Sequence, residues 1–274
     1  MAKIHSIYRY PIKGLSPEAL LRVALEPGET VPGDRLYAVE NGPSGFDPVQ
    51  HPYLSKQHFL MLMKNERLAG LRTAFDQSSH TLTIDQGPRQ AARGDLRTPA
   101  GRAAIEAFFA AYCADELRGP PKILHAPGHS FSDVARKVVS IINLASVAAV
   151  ENMVDAPVNP LRFRGNIYVE GWPAWSELDL VGKELSINPP AHAGEDSGEA
   201  RGGRRSDDRR APVRLKVVKR IVRCAATNVD PDTSLRDLNI PKALMRHLGH
   251  ADCGIYAEVI AAGEIAAGDA LEVL

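Results

Sequence analysis

Residues 219–233, KRIVRCAATNVDPDT, run as an alternating cationic and apolar segment up to Cys224 and then turn polar over residues 227–233. Alternation with period two is the mark of a half-buried strand, and a cluster of Thr, Asn, Asp and Pro marks the turn that ends it. Side chains two apart on a strand share a face. Arg220, Val222 and Cys224 are therefore expected to point one way, and Lys219, Ile221 and Arg223 the other. A cysteine beside cationic side chains at a strand end can bind a soft metal or attack an electrophile as its thiolate. The residues alone leave a second reading open, a half-buried structural cysteine whose arginines only solvate the strand.

Outward from this stretch the second half of the chain reads as short strands with helices between them. Strands are expected at PKILHA (121–126), KVVSIIN (137–143), RFRGNIYVEG (162–171), ELDLVG (177–182) with ELSI (184–187), and LKVVKRIVRCAA (215–226). SVAAVENMV (146–154) and PKALMRHLG (241–249) read as helices, the latter with Pro241 at its start and Gly249 beyond its end. Residues 256–274 read as two strands joined near Gly263, with a bend at Gly268 and Asp269. The first half repeats the pattern at 3–10, 19–26, 35–41 and 80–85, while the local pattern of 54–71 decides between neither strand nor helix. Thr98 and Pro99 open an amphipathic helix with Ile105, Phe108, Phe109 and Tyr112 on one face; Cys113 beside it reads as a small buried hydrophobe. Short strands with glycine-containing turns favour a closed or partly closed barrel over a βαβ sheet. The expected fold class is mostly β with inserted helices (α+β).

Lysine plus arginine and aspartate plus glutamate both number 33 in the 274 residues, so no global charge excess points to nucleic acid or an anionic membrane. An anion site has to be local. The start lacks the pattern of a signal peptide, and the longest apolar stretch, 138–150, is too short for a bilayer and carries Ser140, Asn143 and Ser146. Three widely spaced cysteines fit neither a disulfide framework nor paired zinc spacing. These features set the expectation of a cytoplasmic protein with no nucleic-acid or membrane partner. Residues 191–210, AHAGEDSGEARGGRRSDDRR, are nearly all Gly, Ala, Ser and charge, which predicts a flexible insertion between two strands.

HExxH, GxxxxGK[ST], GxSxG and GxGxxG are all absent, against hydrolase and nucleotide-binding readings. The close histidine pairs, His125 with His129 and His247 with His250, lack a third ligand, and Cys253 reads as structural. Two further clusters stand out. In RFRGN an extended backbone would place Arg162, Arg164 and Asn166 on one face with Phe163 and Ile167 opposite; two guanidinium forks and an amide suit a phosphate or a heterocycle rich in acceptors, and a surface salt-bridge ladder is the alternative. YRYPIKG (8–14) delivers Lys13 and Gly14 in a turn, followed by Arg35 in GDRLYAVEN; glycine lets the backbone approach an anion and lysine adds a point charge.

Together, YRYPIKGLSPEAL, PGDRLYAVEN, RFRGN, RCAATNVDPDT and the closing GDALEVL resemble the MOSC family, named for the C-terminal domain of molybdenum cofactor sulfurase. The likeness is to its two-part members, including bacterial relatives of the mitochondrial amidoxime-reducing component. It implies an N-terminal β-barrel-like domain over 1–98 packed with a MOSC β-barrel over 99–274, the latter containing a helix at 99–118 and the 191–210 insertion. By the resemblance Cys224 ligates molybdenum, Lys13, Gly14 and Arg35 hold the cofactor's phosphate, and Arg162, Arg164 and Asn166 line the pterin. Thr227 belongs to the same cysteine motif, and Asp133 of Phe131-Ser132-Asp133 lies near the metal as a second catalytic candidate. Gly165 stands where many relatives have proline and Gly14 where reductases have serine, which should loosen the strand and leave a backbone N–H as the donor. Three activities follow as expectations: a molybdenum-dependent oxidoreductase that reduces N-hydroxylated or similar small molecules with electrons from a ferredoxin or flavoprotein; a sulfur carrier loaded at Cys224 by a cysteine desulfurase; or a non-catalytic module that stores or inserts the cofactor.

Overall fold

Ala2 and Ile4 alternate inward at the start, a register shift between Ile4 and Ser6 changes the phase, and the strand this makes, β1 (Ala2–Arg9), buries Ala2, Ile4 and Ile7. In the computed structural model, which describes residues 1–50, 52–189 and 210–274, the chain then runs through β2 (Glu18–Leu20), β3 (Arg22–Leu25), β4 (Ala38–Asn41), β5 (Leu71–Asp76), β6 (Thr81–Gln86) and β7 (Arg89–Asp95). Helix α1 (Pro99–Tyr112) and β8 (Pro121–Leu124) follow, then β9 (Val139–Asn143), α2 (Leu144–Val154), β10 (Ile167–Glu170) and β11 (Glu184–Asn188). The last part holds β12 (Val213–Val222), α3 (Ile240–Leu248), β13 (Asp252–Ala261), β14 (Gly263–Ala266) and β15 (Ala270–Val273).

Seven of these strands close a barrel in the order β10-β9-β13-β12-β11-β15-β1, with β1 pairing back onto β10 and β2 extending from β1. All neighbours are antiparallel except β9 and β10, which need the α2 crossover between them. The barrel interior is an apolar cluster that includes Ile4, Val139, Ile141, Val169, Leu185, Leu215, Val217, Ile255 and Leu271. Closure leaves no long open edge. The mostly β expectation with inserted helices is met.

A second core forms beside the barrel from Ile12, Tyr37, Leu60, Leu68, Leu71, Leu82, Ile84, Ile105 and Phe109. Its sheet is β5-β6-β7, and α1 lies on β7 with Thr98 capping the Gly101 N–H and Pro99 in the first turn. With respect to the expected division at 98/99, β1 from the first part stands in the barrel and α1 from the second packs on the sheet of the first. The helix expected over 99–118 stops at Tyr112, and a separate 3-10 turn follows at Ala114–Glu116. Helices α2 and α3 cover the barrel through Val147, Val150, Ile240 and Leu244, a cluster that also buries Cys253.

Several strand expectations give way to turns. Residues 162–165 and 177–180 are 3-10 or irregular, 54–71 holds two 3-10 turns, and 19–26 breaks into β2 and β3 at the exposed Leu21. Near the end, β14 pairs with β3 and not with β13. Of the expected insertion at 191–210, all but Arg210 lies outside the described residues; Arg210 donates to both carboxylate oxygens of Asp269. Among the described residues no helix is long and apolar enough to cross a membrane.

Candidate functional site

Past the end of β1 the chain turns sharply, and the Lys13 N–H donates to Tyr37 O at 2.8 Å. This sends the Lys13 side chain inward, where it is 6% exposed and its Nζ donates to Phe131 O at 2.8 Å and to Asp133 Oδ1 at 2.5 Å. Burial pulls the ammonium below its ordinary pKa, and Asp133 opposes that pull. Gly14 has φ +83°, and a Cβ there would lie 3.0 Å from the Leu60 carbonyl oxygen, so the turn needs glycine. Arg35 also has positive φ, +51°. Its backbone N–H donates to Tyr10 O, its guanidinium pairs with buried Asp34 and donates to Arg164 O, and it sits 4.6 Å from the centre of the Tyr10 ring. Burial works against this cation, but Asp34 outweighs it and raises the Arg35 pKa.

The RFRGN segment corrects the extended reading. Asn159 accepts from the Leu161 N–H, Pro160 opens a 3-10 turn at Pro160–Phe163, and Arg164 caps it with φ +51°. The three polar residues consequently do not share one strand face. Arg162 is buried and donates to Asn228 O at 3.0 Å and to Asp230 and Asp237, both at 2.7 Å, so it holds the 225–237 segment against the turn. Arg164 stacks 4.2 Å from the centre of the Tyr10 ring and donates to Leu15 O; no carboxylate among the described residues is within ion-pair reach of it. Burial lowers its pKa, and Arg35 adds to the effect. The Asn166 side-chain oxygen accepts from both the N–H and the hydroxyl of Ser140, and its Nδ2 donates to Tyr8 O. The expectation that Gly165 loosens a strand is also corrected. Its N–H donates to the Tyr168 hydroxyl, which proline could not do, and a Cβ would lie 2.3 Å from Ile142 Cγ1.

Strand β12 ends at Val222, so Cys224 lies just beyond it, at the start of a 3-10 turn over Ala225–Asn228. Both the N–H and the hydroxyl of buried Thr227 donate to Cys224 O, which fixes the peptide that presents the thiol. A register shift between Arg220 and Val222 breaks the alternation expected for the arginines. Arg220 turns to Leu178 O and Asp179, while Arg223 donates to Cys253 O and Phe163 O. The cation at the half-buried Cys224 thiol is instead Lys56, whose Nζ donates to Sγ at 3.3 Å and to Asp133 Oδ2 at 3.4 Å. Burial opposes the Lys56 charge, yet Asp133 and Cys224 outweigh it and raise its pKa. Burial would likewise raise the Asp133 carboxyl, but Lys13 and Lys56 hold it well below the usual carboxylate range.

Lys13, Gly14, Arg35, Asp133, Arg162, Arg164, Asn166, Cys224 and Thr227 all line one cavity of about 300 Å³. Eight lysine and arginine residues line it against two aspartates, Asp34 and Asp133. A chain of zero net charge has thus concentrated cations around a single thiol. Two guanidinium nitrogens of lining arginines, Arg162 Nε and Arg223 Nη2, are buried without a partner among the described residues. Among the described residues no group of three His, Cys, Asp or Glu is placed to hold a metal ion, so a metal at Cys224 would have to arrive with most of its ligands. Sequence reasoning missed Lys56 and Asp34. Lys56 has no local signal, being one lysine in the undecided 54–71 stretch, 168 residues from Cys224. The Asn159-Pro160 pair, by contrast, was a turn signal that the strand reading passed over.

Comparison with known proteins identifies the family. The model of the MOSC domain matches residues 126–272, and that of the MOSC N-terminal beta barrel domain matches residues 1–114. Among curated protein sequences none matches the chain. A solved structure of the YuaD protein from Bacillus subtilis is 14% identical with a TM-score of 0.42, covering 99% of this chain and 94% of that one. YiiM from Geobacillus stearothermophilus is 17% identical with a TM-score of 0.33, covering 50% and 53%. On the two family matches, which between them take in both cores and the Cys224 motif, the chain belongs to the MOSC-domain family.

Proposed function

We propose that this cavity binds the molybdenum cofactor with Cys224 as the protein's metal ligand, and that the chain is a molybdenum-dependent oxidoreductase acting on N-hydroxylated or similar oxygenated small molecules. The observation that carries the reading is a lone thiol on the wall of a cavity with eight cations, in a family named for a molybdenum cofactor sulfurase domain. The donor set fits: one soft sulfur suits a metal that brings its own ligands, and guanidinium and ammonium groups suit an anionic phosphate. When bound, the cofactor supplies a metal able to accept and donate electrons. Lys13, Arg35 and Arg164 would hold the phosphate, with Gly14 letting the backbone come close. Arg162 and Thr227 would keep the Cys224 turn in place, and Asn166 would hold the cavity wall through Ser140 and Tyr8. Electrons would come from a separate ferredoxin or flavoprotein.

The test is metal and pterin content. Purified from a host that makes the cofactor, the wild-type chain should carry both, and Cys224→Ala should lose most of the molybdenum. A wild-type protein with neither overturns the reading. Reduction of N-hydroxylated compounds with an artificial donor then tests the activity. The half-exposed thiol beside Lys56 also supports a second reading, a sulfur carrier loaded by a cysteine desulfurase. Persulfide tagging after incubation with such an enzyme separates the two, since an untagged Cys224 removes the carrier role.

A further inference from the structure

The two carboxylates on the cavity wall are held very differently. Asp34 is 5% exposed, accepts from the Tyr10 N–H at 2.8 Å and pairs with Arg35, so backbone and side chain both fix it. The Asp133 side chain is 46% exposed and belongs to a stretch without regular structure between β8 and β9. Its two oxygens are taken up by the ammonium groups of Lys13 and Lys56, and Lys56 also reaches the Cys224 thiol. Asp133 thereby occupies two of the cations that an incoming anion would use.

We infer that Asp133 is an internal competitor for the anion subsite of this cavity: its carboxylate occupies Lys13 and Lys56, and an anionic ligand binds by displacing it. The inference rests on the reading of the cavity as an anion-binding site and replaces a role for Asp133 at the metal. The physical reason is exchange. A buried ammonium such as Lys13 must keep a counter-charge, because an uncompensated one is strongly disfavoured. A phosphate dianion offers Lys13 and Lys56 more charge and more acceptor oxygens than one carboxylate. Asp133 can yield to it because its side chain is nearly half in solvent, the ligand's oxygens take over both of its lysines, and beyond those two ion pairs only its backbone is tied, through the hydroxyl of Tyr53 donating to Asp133 O at 2.8 Å. Asp34 is too firmly held to do the same. Arg164, which has no carboxylate partner among the described residues, stands ready in the same cavity as a fixed contact for the ligand.

The competition predicts a sign opposite to that of an ordinary binding residue. With the full chain purified from a host unable to make the cofactor, the probe is inorganic phosphate, followed by calorimetry. Asp133→Asn should bind phosphate about tenfold or more tightly than wild type, because one negative charge next to the ligand is gone. Asp133→Glu keeps the charge and should stay within about twofold of wild type, and Lys56→Met should bind more weakly. Thermal melts without phosphate report whether each variant is folded; should Asp133→Asn melt far below wild type, Asp133→Ser at the same exposed position takes its place. Asp133 variants that bind phosphate no better than wild type overturn the inference, as does a wild type and variant set that binds none. A chain that carries no molybdenum even when purified from a cofactor-making host, yet binds phosphate more tightly on loss of the Asp133 charge, would sink the cofactor reading and leave the competition standing.

Discussion

The two walls of the cavity balance their charge in different ways. On the wall built from the 160–163 turn and the 224–237 segment, Arg162 has two carboxylates and a backbone carbonyl, and Thr227 closes onto Cys224 O. On the other wall, built from the turns after β1 and around Arg35, three cations, Lys13, Arg35 and Lys56, share two carboxylates, one of them displaceable, and Arg164 has none among the described residues. Two arginines two residues apart thus have opposite fates. A cation whose charge is met by carboxylates inside the protein holds structure, and one that meets only a carbonyl and a tyrosine ring is placed for a ligand.

Removing the better-paired arginine should have the largest effect. Arg162→Ala leaves Asp230 and Asp237 without their buried cation and should cost roughly 3–5 kcal/mol in urea unfolding. A loss under about 1 kcal/mol would show that this wall is not held by charge.

Alkaline stability sharpens the contrast between what lies behind the walls and what faces the cavity. Cys113 is buried in the core beside the barrel and Cys253 in the cluster under α2 and α3, and burial pushes their thiols up to about 11 and about 12. The unfolded chain ionises its thiols near pH ~8.5, so above that pH it binds fewer protons than the native state and stability falls as pH rises. Each buried thiol should contribute a slope of roughly 1.4 kcal/mol per pH unit until its own folded pKa is reached. Urea midpoints from pH 8 to about 10.5 for wild type and Cys253→Ala measure it, and equal slopes would remove Cys253 from the account. Under native conditions a thiol reagent should label Cys224 alone.

Gly14→Ala comes next. It forces a side chain into φ +83° and against the Leu60 carbonyl, and should destabilise by roughly 1–3 kcal/mol. The smallest effect on stability belongs to Arg164→Gly. Glycine suits φ +51°, so the variant should stay within about 1 kcal/mol of wild type while losing most of its affinity for phosphate. If it unfolds as readily as Arg162→Ala, the contrast between the walls collapses.

What the residues alone determined is local in origin. Alternation in 3–10 and in the first part of 215–226, the Thr98-Pro99 opening of α1 and the glycine-containing turns make strands and a helix wherever they stand, because period and turn chemistry are set over a few residues. The family motifs likewise brought together nine residues that all line one cavity. Tertiary structure decided the rest. The partner of Arg162 lies 68 residues away at Asp230, that of Cys224 at Lys56 lies 168 away, and closure of the barrel by β1 onto β10 depends on which edges meet. Charge pairing is a matter of distance in space, and no local pattern around Arg162, Arg164 or Lys56 states which carboxylate each will find.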